Sequence, residues 1–560
     1  MTVLLTENLP LLSGAPDGIK KLRELILELA VRGKLVPQDP SDEPAGELLK
    51  SITAEQLRLM VEEGLRTKAQ TEVPQNDQYL KISSGWAYSR LGNLARFIDY
   101  RGRTPTKTSS GIPLITAKNV RSGFISREPQ EFIAKNEYSS WMTRGFPRLG
   151  DLLFTTEAPM GNVALVNISE QFALAQRVIC FQLHEISIGP FLKLAMMSST
   201  FQRQLLEVAT GMTATGVKSS RLKEIPVPLP PLAEQQRIAA KVDELMTLCD
   251  RMEAQQADSE SAHAQLVQVL LDSLTQTSDA TDFASNWQRL AEHFHTLFTT
   301  ESSIDALKQT LLQLAVTGKL VPQDVSGCLQ VGLPSGWDEI RIEKFCTVQG
   351  GIQKTPLRRP ISQHFPYLRV ANVQRGRIDV KELERYELSL AELAKWRLNS
   401  GDLLIVEGNG SENEIGRCAI WRGEVVDCVY QNHLMRVRPE ICEQVEYLAL
   451  YLNSPVGIAH MKRLAITTSG LFNLSVGKIR SIPVALPPVS EQRRIVAKVD
   501  QLMELCDQLK TRLTQARLLN EQLASTLIEH ALAEDAQQLL HTMDRQAART
   551  ARRRNHSSTA

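Results

Sequence analysis

The sequence predicts an α+β protein in which two mixed α/β domains, in a pseudo-twofold arrangement, are joined by two long antiparallel coiled-coil helices. Two repeated phrases lead to this fold class. LAVRGKLVPQD, beginning at Leu29, returns as LAVTGKLVPQD at Leu314, and a proline-rich phrase that begins at Ile225 returns at Ile482. Between them the pattern changes to short β-rich runs such as GDLLFTTEAP and GDLLIVEG. Such an internal repeat indicates two copies of one structural unit.

Size and composition suit a globular protein. The chain has 560 residues, of which 42% are hydrophobic and 23% are charged, and its formal net charge is +1. A chain of this length is expected to form roughly three or four domains. The net charge gives no indication of a nucleic-acid partner, so such a partner must be argued from local clusters.

Neither secretion nor a membrane span is predicted. The N-terminus lacks a basic start followed by a long apolar run. The sequence also has no stretch of about 18 apolar residues. Its eight cysteines form no CxxC pair, so neither a zinc site nor a disulfide framework is indicated. We therefore expect a cytoplasmic, reducing location.

Each short repeat is predicted to be a helix with a tight exit. Apolar residues step by three and four along both copies. They are Ile19, Leu22, Ile26 and Leu29 in the first copy and Ile304, Leu307, Leu311 and Leu314 in the second. Gly33 and Gly318 follow at the C-cap position. An insertion at about residues 41–80, much shorter in the second copy, includes AEQLRLMVEEGLRTKAQ and is predicted to add a surface helix.

Each long repeat begins with prolines and continues as a long helix. Its apolar positions alternate in steps of four and three, which is typical of a coiled-coil seam. A helix of about 40 residues is roughly 60 Å long. The predicted coil or partner-docking residues are Leu29, Leu35, Ile238, Val242, Leu245, Leu314, Leu320, Ile495, Val499 and Leu502. The seam continues through polar His263 and Asn520 to Leu266 and Leu523, and a polar seam residue can fix register. An unpaired, solvent-facing helix is the alternative.

The order of repeats divides the chain into six segments. They are a helical region with the insertion (1–83), a first variable domain (84–224), a central region with the first long helix and the second short repeat (225–334), a second variable domain (335–481), the second long helix (482–545) and a basic tail (546–560). The tail is predicted to be disordered, and a nonspecific DNA-backbone arm is the alternative. We call the two variable domains the first head and the second head.

Both heads carry clusters of cationic and amide residues. Arginine and lysine suit phosphates and guanine edges, and asparagine and glutamine suit adenine edges. A single cluster is more often a solvated face, but two clusters at matching positions of a divergent repeat favour DNA contact. The predicted DNA-binding residues are Arg101, Arg103, Thr104, Lys107, Lys118, Asn119, Arg121, Gln176 and Lys218 in the first head, and Lys354, Thr355, Arg358, Arg359, Arg369, Asn372, Gln374, Arg375, Gln431 and Lys478 in the second.

No catalytic, cofactor-binding or metal-binding residue is predicted. GMTATGVKSS resembles a phosphate loop, but Val217 stands where GxxxxGK requires lysine. DNA-phosphate contact is the favoured role for Lys218 and Lys478. The sequence also lacks an HExxH motif, a nucleophile elbow and the NPPY or DPPY tetrapeptide of amino-methylation.

These repeats resemble the specificity subunit of a type I restriction-modification enzyme. The resemblance is carried by the LAVxGKLVPQD box, the two GDLL-containing domains and the LPPLAEQQRIAAKVDELM helix, and it covers nearly the whole chain. It implies two target recognition domains, each reading one part of a split, asymmetric DNA site from the major-groove side. It also implies that the long helices set the unread spacer. Half-sites about one helical turn apart, roughly 34–36 Å, would suit a twofold reader.

The resemblance also implies partners. Two modification (methyltransferase) subunits would dock on the duplicated helical regions and bring S-adenosylmethionine, and restriction subunits would bring ATP hydrolysis, Mg and DNA cleavage. The chain itself would bind no cofactor and would not be an enzyme. Two alternatives stay open: the recognition subunit of a fused nuclease-methyltransferase system, and a coiled-coil scaffold that binds only proteins.

Overall fold

The computed structural model divides into two compact units. The first contains residues 1–257 and 517–560, and the second contains residues 258–516. The described residues are 12, 14–62, 72–100, 105–210, 215–276, 280–322, 333–408, 415–465 and 473–556, without the side chains of 280, 281, 357 and 530–556. Among them, no helix is long and apolar enough to cross a membrane.

The first unit contains the first short repeat, the insertion and the first head. Its helices are α1 (Gly18–Val31), α2 (Ala45–Glu62), α3 (Leu91–Leu94), α4 (Tyr138–Trp141), α5 (Gly189–Met197), α6 (Ser199–Val208) and α7 (Ser219–Leu222). The first long helix, α8 (Leu232–Gln276), begins in this unit and ends in the second. The strands are β1 (Ala87–Arg90), β2 (Ala95–Asp99), β3 (Ile112–Ile115), β4 (Phe132–Ile133), β5 (Leu152–Thr156), β6 (Met160–Leu165), β7 (Ala173–Leu174), β8 (Val178–Leu183) and β9 (Pro226–Leu229).

The second unit contains the second short repeat and the second head. Its helices are α9 (Ala280–Glu292), α10 (Phe294–Leu297), α11 (Glu301–Val316), α12 (Leu390–Trp396), α13 (Gln444–Asn453), α14 (Pro455–Leu464) and α15 (Val476–Arg480). The second long helix, α16 (Val489–His556), begins here and ends in the first unit. The strands are β10 (Asp338–Arg341), β11 (Cys346–Gly350), β12 (His364–Leu368), β13 (Val373–Gln374), β14 (Arg377–Ile378), β15 (Glu384–Glu387), β16 (Asp402–Val406), β17 (Cys418–Trp421), β18 (Val429–Tyr430), β19 (Leu434–Pro439) and β20 (Pro483–Leu486).

The two heads share one sheet topology. The first has an antiparallel sheet β2-β8-β5-β6 and a three-stranded sheet β4-β3-β7 in which β3 and β7 are parallel. The second repeats this order as β11-β19-β16-β17 and β15-β12-β18. Antiparallel pairs β1–β9 and β10–β20 join the start of each head to its proline-rich exit. The predicted α+β class with two mixed, repeated domains is therefore confirmed.

The GDLL strands are buried on both faces because they lie between two cores. In β5, Leu152 and Phe154 face one hydrophobic cluster while Leu153 faces another. In β16, Leu403 and Leu404 divide between two clusters in the same way. Successive side chains of a strand point to opposite faces, so an uninterrupted apolar run indicates a strand covered on both sides.

The short repeats are helices that end in a left-handed glycine, as predicted. Gly33 has φ 67° and Gly318 has φ 73°. One residue later the Lys34 amide donates a 2.9 Å hydrogen bond to the Leu29 carbonyl, and the Lys319 amide donates to Leu314 at the same distance. Glycine adopts this conformation without a Cβ clash, and the bonds satisfy carbonyls at the helix end. The surface helix predicted in the insertion is α2, although residues 63–71 lie outside the described part.

At the start of each long helix the predicted seam residues are buried, but they pack in the core of a head and a short repeat and not against the other long helix. Ile238 and Val242 are buried in the core that joins α1 to the first head. Ile495 and Val499 occupy the equivalent core of the second unit. The seam therefore packs against its own head and short repeat in these turns.

Further along, both seams shift by one residue. Leu266 and Leu523, predicted to be seam residues, are 52% and 44% exposed, whereas Val267 and Ala524 are buried. A straight α-helix drifts by roughly 20° per heptad relative to a 3.5-residue repeat, so a seam drawn from fixed steps leaves the packed face. Leu266 and Leu523 occupy equivalent positions of the long repeat, so the predicted seam is wrong by one residue in both copies.

In the second unit, α11 runs antiparallel to α16. Lys308 forms an ion pair with Asp507. Asp305, one turn earlier on α11, pairs with Lys510 at 2.6 Å, further along α16. Positions later in α11 therefore contact positions earlier in α16, which makes the two helices antiparallel.

The end of α8 runs in the same direction as α11. The His263 Nε2 lies 3.1 Å from the Thr296 carbonyl oxygen, before α11, and Lys319 after α11 donates to the Thr275 carbonyl. Within this unit, α8 and α16 are therefore antiparallel, as predicted. The register role predicted for His263 is corrected, because its contact is a backbone carbonyl outside both long helices. The helix α16 also continues to His556, beyond the boundary predicted for the second long helix at residue 545, and the disorder of the basic tail stays a prediction.

Candidate nucleic-acid interface

The first-head cluster presents separate exposed cations. Lys118 and Arg121 are exposed beside the turn that follows β3. The Lys107 ammonium, also exposed, lies 2.8 Å from the Glu131 carboxylate. The predicted residues Arg101, Arg103 and Thr104 lie outside the described residues. Lys107, Lys118 and Arg121 are therefore described first-head positions from which a cation can reach a phosphate.

Asn119 and Asn372 are structural residues, and the prediction that they read adenine is corrected. Both are buried. The Asn119 Oδ1 accepts from the amide and hydroxyl of Thr116, and its Nδ2 donates to the carbonyls of Ser126 and Pro129 at 3.1 and 3.0 Å. A side-chain amide whose oxygen and both N–H groups are engaged inside the head has no hydrogen bond to offer a base.

Asn372 holds the second head in the same way. Its Oδ1 accepts from the Arg369 amide at 2.8 Å, and its Nδ2 donates to the carbonyls of Asp379 and Glu382 at 2.9 and 3.0 Å. The repeat therefore uses a buried asparagine to tie a turn to the strand that follows it. Sequence patterning detected the matching positions but not their inward orientation.

The second-head cluster surrounds a cleft of about 460 Å³. Its lining includes Lys354, Thr355, Arg358, Arg359, Glu384 and Tyr386. Lys354 is exposed and donates to Glu384, Arg359 is exposed, and Thr355 is half-buried. The ring of Tyr386 stacks on Tyr367 with centroids 3.9 Å apart, and burial raises the pKa of the Tyr386 hydroxyl. The cleft therefore combines cations with a rigid aromatic wall.

Carboxylates restrain several of the predicted cations. Arg358 donates a 2.9 Å hydrogen bond to Glu392. The Ser389 amide and the Arg358 guanidinium hold the pKa of Glu392 below its ordinary value. Arg369 donates at 3.2 Å to Glu384, the carboxylate that also accepts from Lys354. Sequence reasoning missed these acidic partners.

Gln374 and Arg375 are directed into the second head. The Gln374 side-chain Nε2 donates to the Ala371 carbonyl at 2.9 Å, and its Oε1 accepts from the Arg417 guanidinium at 3.0 Å. Arg375 donates to the Asn453 side chain at 3.2 Å. Both residues are half-buried and support the head internally, and their contact with DNA stays a prediction.

The remaining predicted positions differ in exposure. Gln176 and Gln431 are half-buried, and the Gln431 Oε1 accepts from the Val370 amide at 3.3 Å. Lys218 is exposed, whereas Lys478 is half-buried and donates to the Asn473 carbonyl at 3.1 Å. Lys218 is thus better placed than Lys478 for contact with a phosphate.

The predicted coil or docking residues belong to the chain's own cores. Leu29, Ile238, Val242, Leu314, Ile495 and Val499 are buried, and Leu35, Leu245, Leu320 and Leu502 are partly buried against the same clusters. The six buried side chains face inward and cannot present a docking surface, so the docking role predicted for them is corrected. For the four partly buried leucines, docking stays a prediction.

Other leucines on the long helices face solvent at equivalent positions. Leu248 is 41% exposed and Leu505 is 49% exposed. They occupy the same place in the two copies of the long repeat, one residue before Cys249 and Cys506. Within the described part of the chain, no group of three or more His, Cys, Asp or Glu is arranged to hold a metal ion.

Comparison with known proteins identifies a family. The family described as "Type I restriction modification DNA specificity domain" matches residues 83–259 and 334–517. The chain is 31% identical over 583 residues to the type I restriction enzyme EcoEI specificity subunit of Escherichia coli, covering 92% of this chain and 94% of that one. It is 30% identical over 569 residues to the EcoAI specificity subunit of the same organism, with the same coverage. A solved structure from a type I R-M system aligns with a TM-score of 0.48 at 20% identity, over 80% of this chain and 98% of that chain.

Proposed function

Because the chain belongs to the type I restriction-modification DNA specificity family, we propose that its two heads read the two parts of a split, asymmetric DNA site. One observation carries this proposal. The heads share a topology and present cations from the same segment of the repeat, Lys107 in the first and Lys354 in the second. The residues around these cations differ, so each head contacts a different sequence. Phosphate contacts position a protein on DNA, and base-edge contacts specify the sequence.

Two modification subunits dock on the duplicated helices. The matching exposure of Leu248 and Leu505 supports equivalent apolar sites for two equivalent partners. Large exposed apolar side chains are common at protein interfaces, where they pack against the partner. Restriction subunits join the same assembly.

The partner subunits carry the chemistry. S-adenosylmethionine, ATP and Mg bind to them, and this chain catalyses no reaction, because its sequence contains no motif that supplies a nucleophile or a metal-bound water. We place the complex in the cytoplasm. That location suits the seven described cysteines, which are free thiols.

A selection from randomised duplex DNA tests recognition. The wild-type chain with its modification subunit should retain one bipartite sequence at moderate salt. Lys354→Ala should weaken binding to the enriched sequence and lower the salt slope measured on it by about 1, as loss of a phosphate contact does. Arg103→Ala should also weaken binding. Enrichment of no sequence by the wild-type complex would favour a scaffold that binds only proteins.

Docking is tested separately. Leu248→Asp and Leu505→Asp should each remove one modification subunit from the complex, as measured by mass in solution, because burying a charge at an apolar contact is unfavourable. Asp500→Asn, at an exposed position of α16, is the control for a change of charge on this helix. Full assembly by both aspartate variants would place the docking surface elsewhere.

A further inference from the structure

One glutamate occupies the same structural position in both heads. In the first head, Asn119 anchors the carbonyl of Pro129, and Glu131 follows two residues later. In the second head, Asn372 anchors the carbonyl of Glu382, and Glu384 also follows two residues later. The buried asparagines therefore present two carboxylates from equivalent backbone positions.

Each of these carboxylates binds a cation of the predicted DNA-binding cluster. Glu131 lies 2.8 Å from the Lys107 ammonium. Glu384 lies 3.0 Å from the Lys354 ammonium and 3.2 Å from the Arg369 guanidinium.

The carboxylates are more buried than the lysines that they bind. The side chains of Glu131 and Glu384 are 20% and 31% exposed, whereas Lys107 and Lys354 are about half exposed. The acidic partner is thus fixed by the fold, while the cation lies at the end of a long side chain that can turn towards solvent.

The two lysines do not come from equivalent positions of the repeat. The Thr-Pro dipeptide is shared by the heads, and Lys107 follows it whereas Lys354 precedes it. Among the described residues, the cation that pairs with the shared carboxylate therefore comes from a different position in each head.

Such an ion pair is weak enough for DNA to displace. A solvent-accessible lysine–carboxylate pair contributes little net free energy, because both groups lose hydration and the lysine loses conformational freedom. Loosely bound DNA gains affinity chiefly by replacing counterions at its phosphates, in proportion to the number of free protein cations. A lysine held by a carboxylate adds little to that number until close docking transfers it to a phosphate.

We propose that Glu131 and Glu384 are specificity residues that lower affinity for non-target DNA by occupying a cation in each head. This inference rests on the proposed function, since it concerns how the same heads discriminate between sequences. On a target site the lysine leaves the glutamate for a phosphate. On other DNA the pair stays closed and the phosphate contact is missing.

Glu131→Gln and Glu384→Gln test the proposal in the complete complex with modification subunits. Binding to the selected target duplex and to a random duplex of equal length is measured across a salt series. On random DNA, each variant should raise affinity by about threefold to tenfold and steepen the salt slope by about 1, because one more cation is free. On the target the slope should stay unchanged. Glu137→Gln and Glu382→Gln, at exposed neighbouring glutamates, control for net charge.

A double-variant cycle separates release of the lysine from a general charge effect. Glu131→Gln should have no effect on random DNA when Lys107 is already glutamine. Glu131→Asp, which keeps the charge but shortens the side chain, should give an intermediate affinity, and equal melting temperatures verify the fold of every variant.

Three results distinguish the possibilities. Variants that behave like their controls on random DNA overturn the inference while leaving DNA recognition intact. Weaker binding to the target alone also overturns it and indicates that the glutamate accepts from a base, as a carboxylate does from cytosine N4. A wild-type complex with no target preference refutes the proposed function itself.

Discussion

The indole Nε1 of Trp86 donates a 3.0 Å hydrogen bond to the carboxylate of Glu234. Trp86 lies in the third position of the first head, and Glu234 lies in the first turn of α8. In the second unit, Trp337 donates to Glu491 at the same distance. The bond therefore joins the entrance of each head to the start of its long helix, and both copies retain it.

Trp86→Phe should destabilise the first unit by about 2 kcal/mol, because the buried carboxylate of Glu234 loses its donor while most of the ring contact with Phe191 is kept.

Glu234→Gln should change the free energy of unfolding by an amount that depends on pH. Burial raises the pKa of Glu234, against the opposing Trp86 hydrogen bond, so the folded state holds this proton more tightly than the unfolded state does. The wild type is thus favoured at low pH and loses that advantage as pH rises through the folded pKa.

Urea denaturation at pH 4 and pH 8 measures both effects. The glutamine variant should gain stability relative to the wild type at the higher pH. A difference that does not change between the two pH values would contradict the role assigned to the Glu234 carboxyl. Trp337→Phe is the matched variant in the second unit.

Glu28 should stabilise the protein at neutral pH and not in acid. Burial raises its pKa, but hydrogen bonds from Thr200 and Ser199, at 2.7 Å, and the charge of Arg32 outweigh burial and leave the pKa below its ordinary value. The contribution is present above the unfolded pKa and is lost as pH falls through the folded pKa. Glu28→Gln should cost about 2 kcal/mol at pH 7, because an amide N–H then faces these donors.

Thermal melting from pH 3 to pH 7 tests the prediction for Glu28. The gap between variant and wild type should close in acid. Glu24→Gln, at an exposed position of the same helix, should melt like the wild type throughout. A difference in melting temperature that persists at pH 3 would mean that the geometry of the glutamine side chain, and not the lost charge of Glu28, destabilises the variant.

Asn119→Ala should unfold the first head more easily and should not selectively change base preference. The substitution removes the bonds to Thr116, Ser126 and Pro129, at a cost of about 3 kcal/mol. Lys118→Ala, at the exposed neighbour, should change stability by less than about 0.5 kcal/mol while weakening DNA binding. Hydrogen exchange and a DNA titration compare the two variants. Normal stability with altered sequence preference in Asn119→Ala would restore its role as a base reader.

Glycine-to-alanine changes at two positions should have opposite signs. Gly33 has φ 67°, and an added Cβ would lie 2.9 Å from the Trp86 ring. Gly33→Ala should therefore destabilise by at least about 1–2 kcal/mol, the cost of a left-handed conformation. Gly46 lies in α2 with nothing within 4 Å of an added Cβ, so Gly46→Ala should stabilise by about 0.5–1 kcal/mol. Melting temperatures that move in the same direction would contradict this assignment.

Leu245→Pro should interrupt α8 between its contacts with the first head and its passage into the second unit. Proline removes a helical hydrogen bond and clashes with the preceding turn, at a cost of about 3 kcal/mol or more. Methylation of sites with different spacer lengths is the readout, with Leu245→Ala as the control for lost packing. Unaltered methylation and unaltered spacer preference would show that the helix does not set the spacing.

The sequence by itself determined the features that depend on local periodicity. The repeat located both heads and both long helices, and the glycines at positions 33 and 318 marked helix ends. The GDLL runs marked the strands between two cores. These features follow from side-chain spacing and backbone conformation, which a short stretch of sequence specifies without reference to distant residues.

Only the tertiary structure decided which polar residues are available. Asn119 and Asn372 resemble base-reading residues in composition, yet each is enclosed by a turn that closes over it. Lys107 and Lys354 are part of basic clusters, yet each is paired with a carboxylate brought close by strand pairing within its head. Burial and ion pairing depend on chain segments that are distant in sequence, so local composition can locate a charged region but cannot determine which of its charges are free to bind DNA.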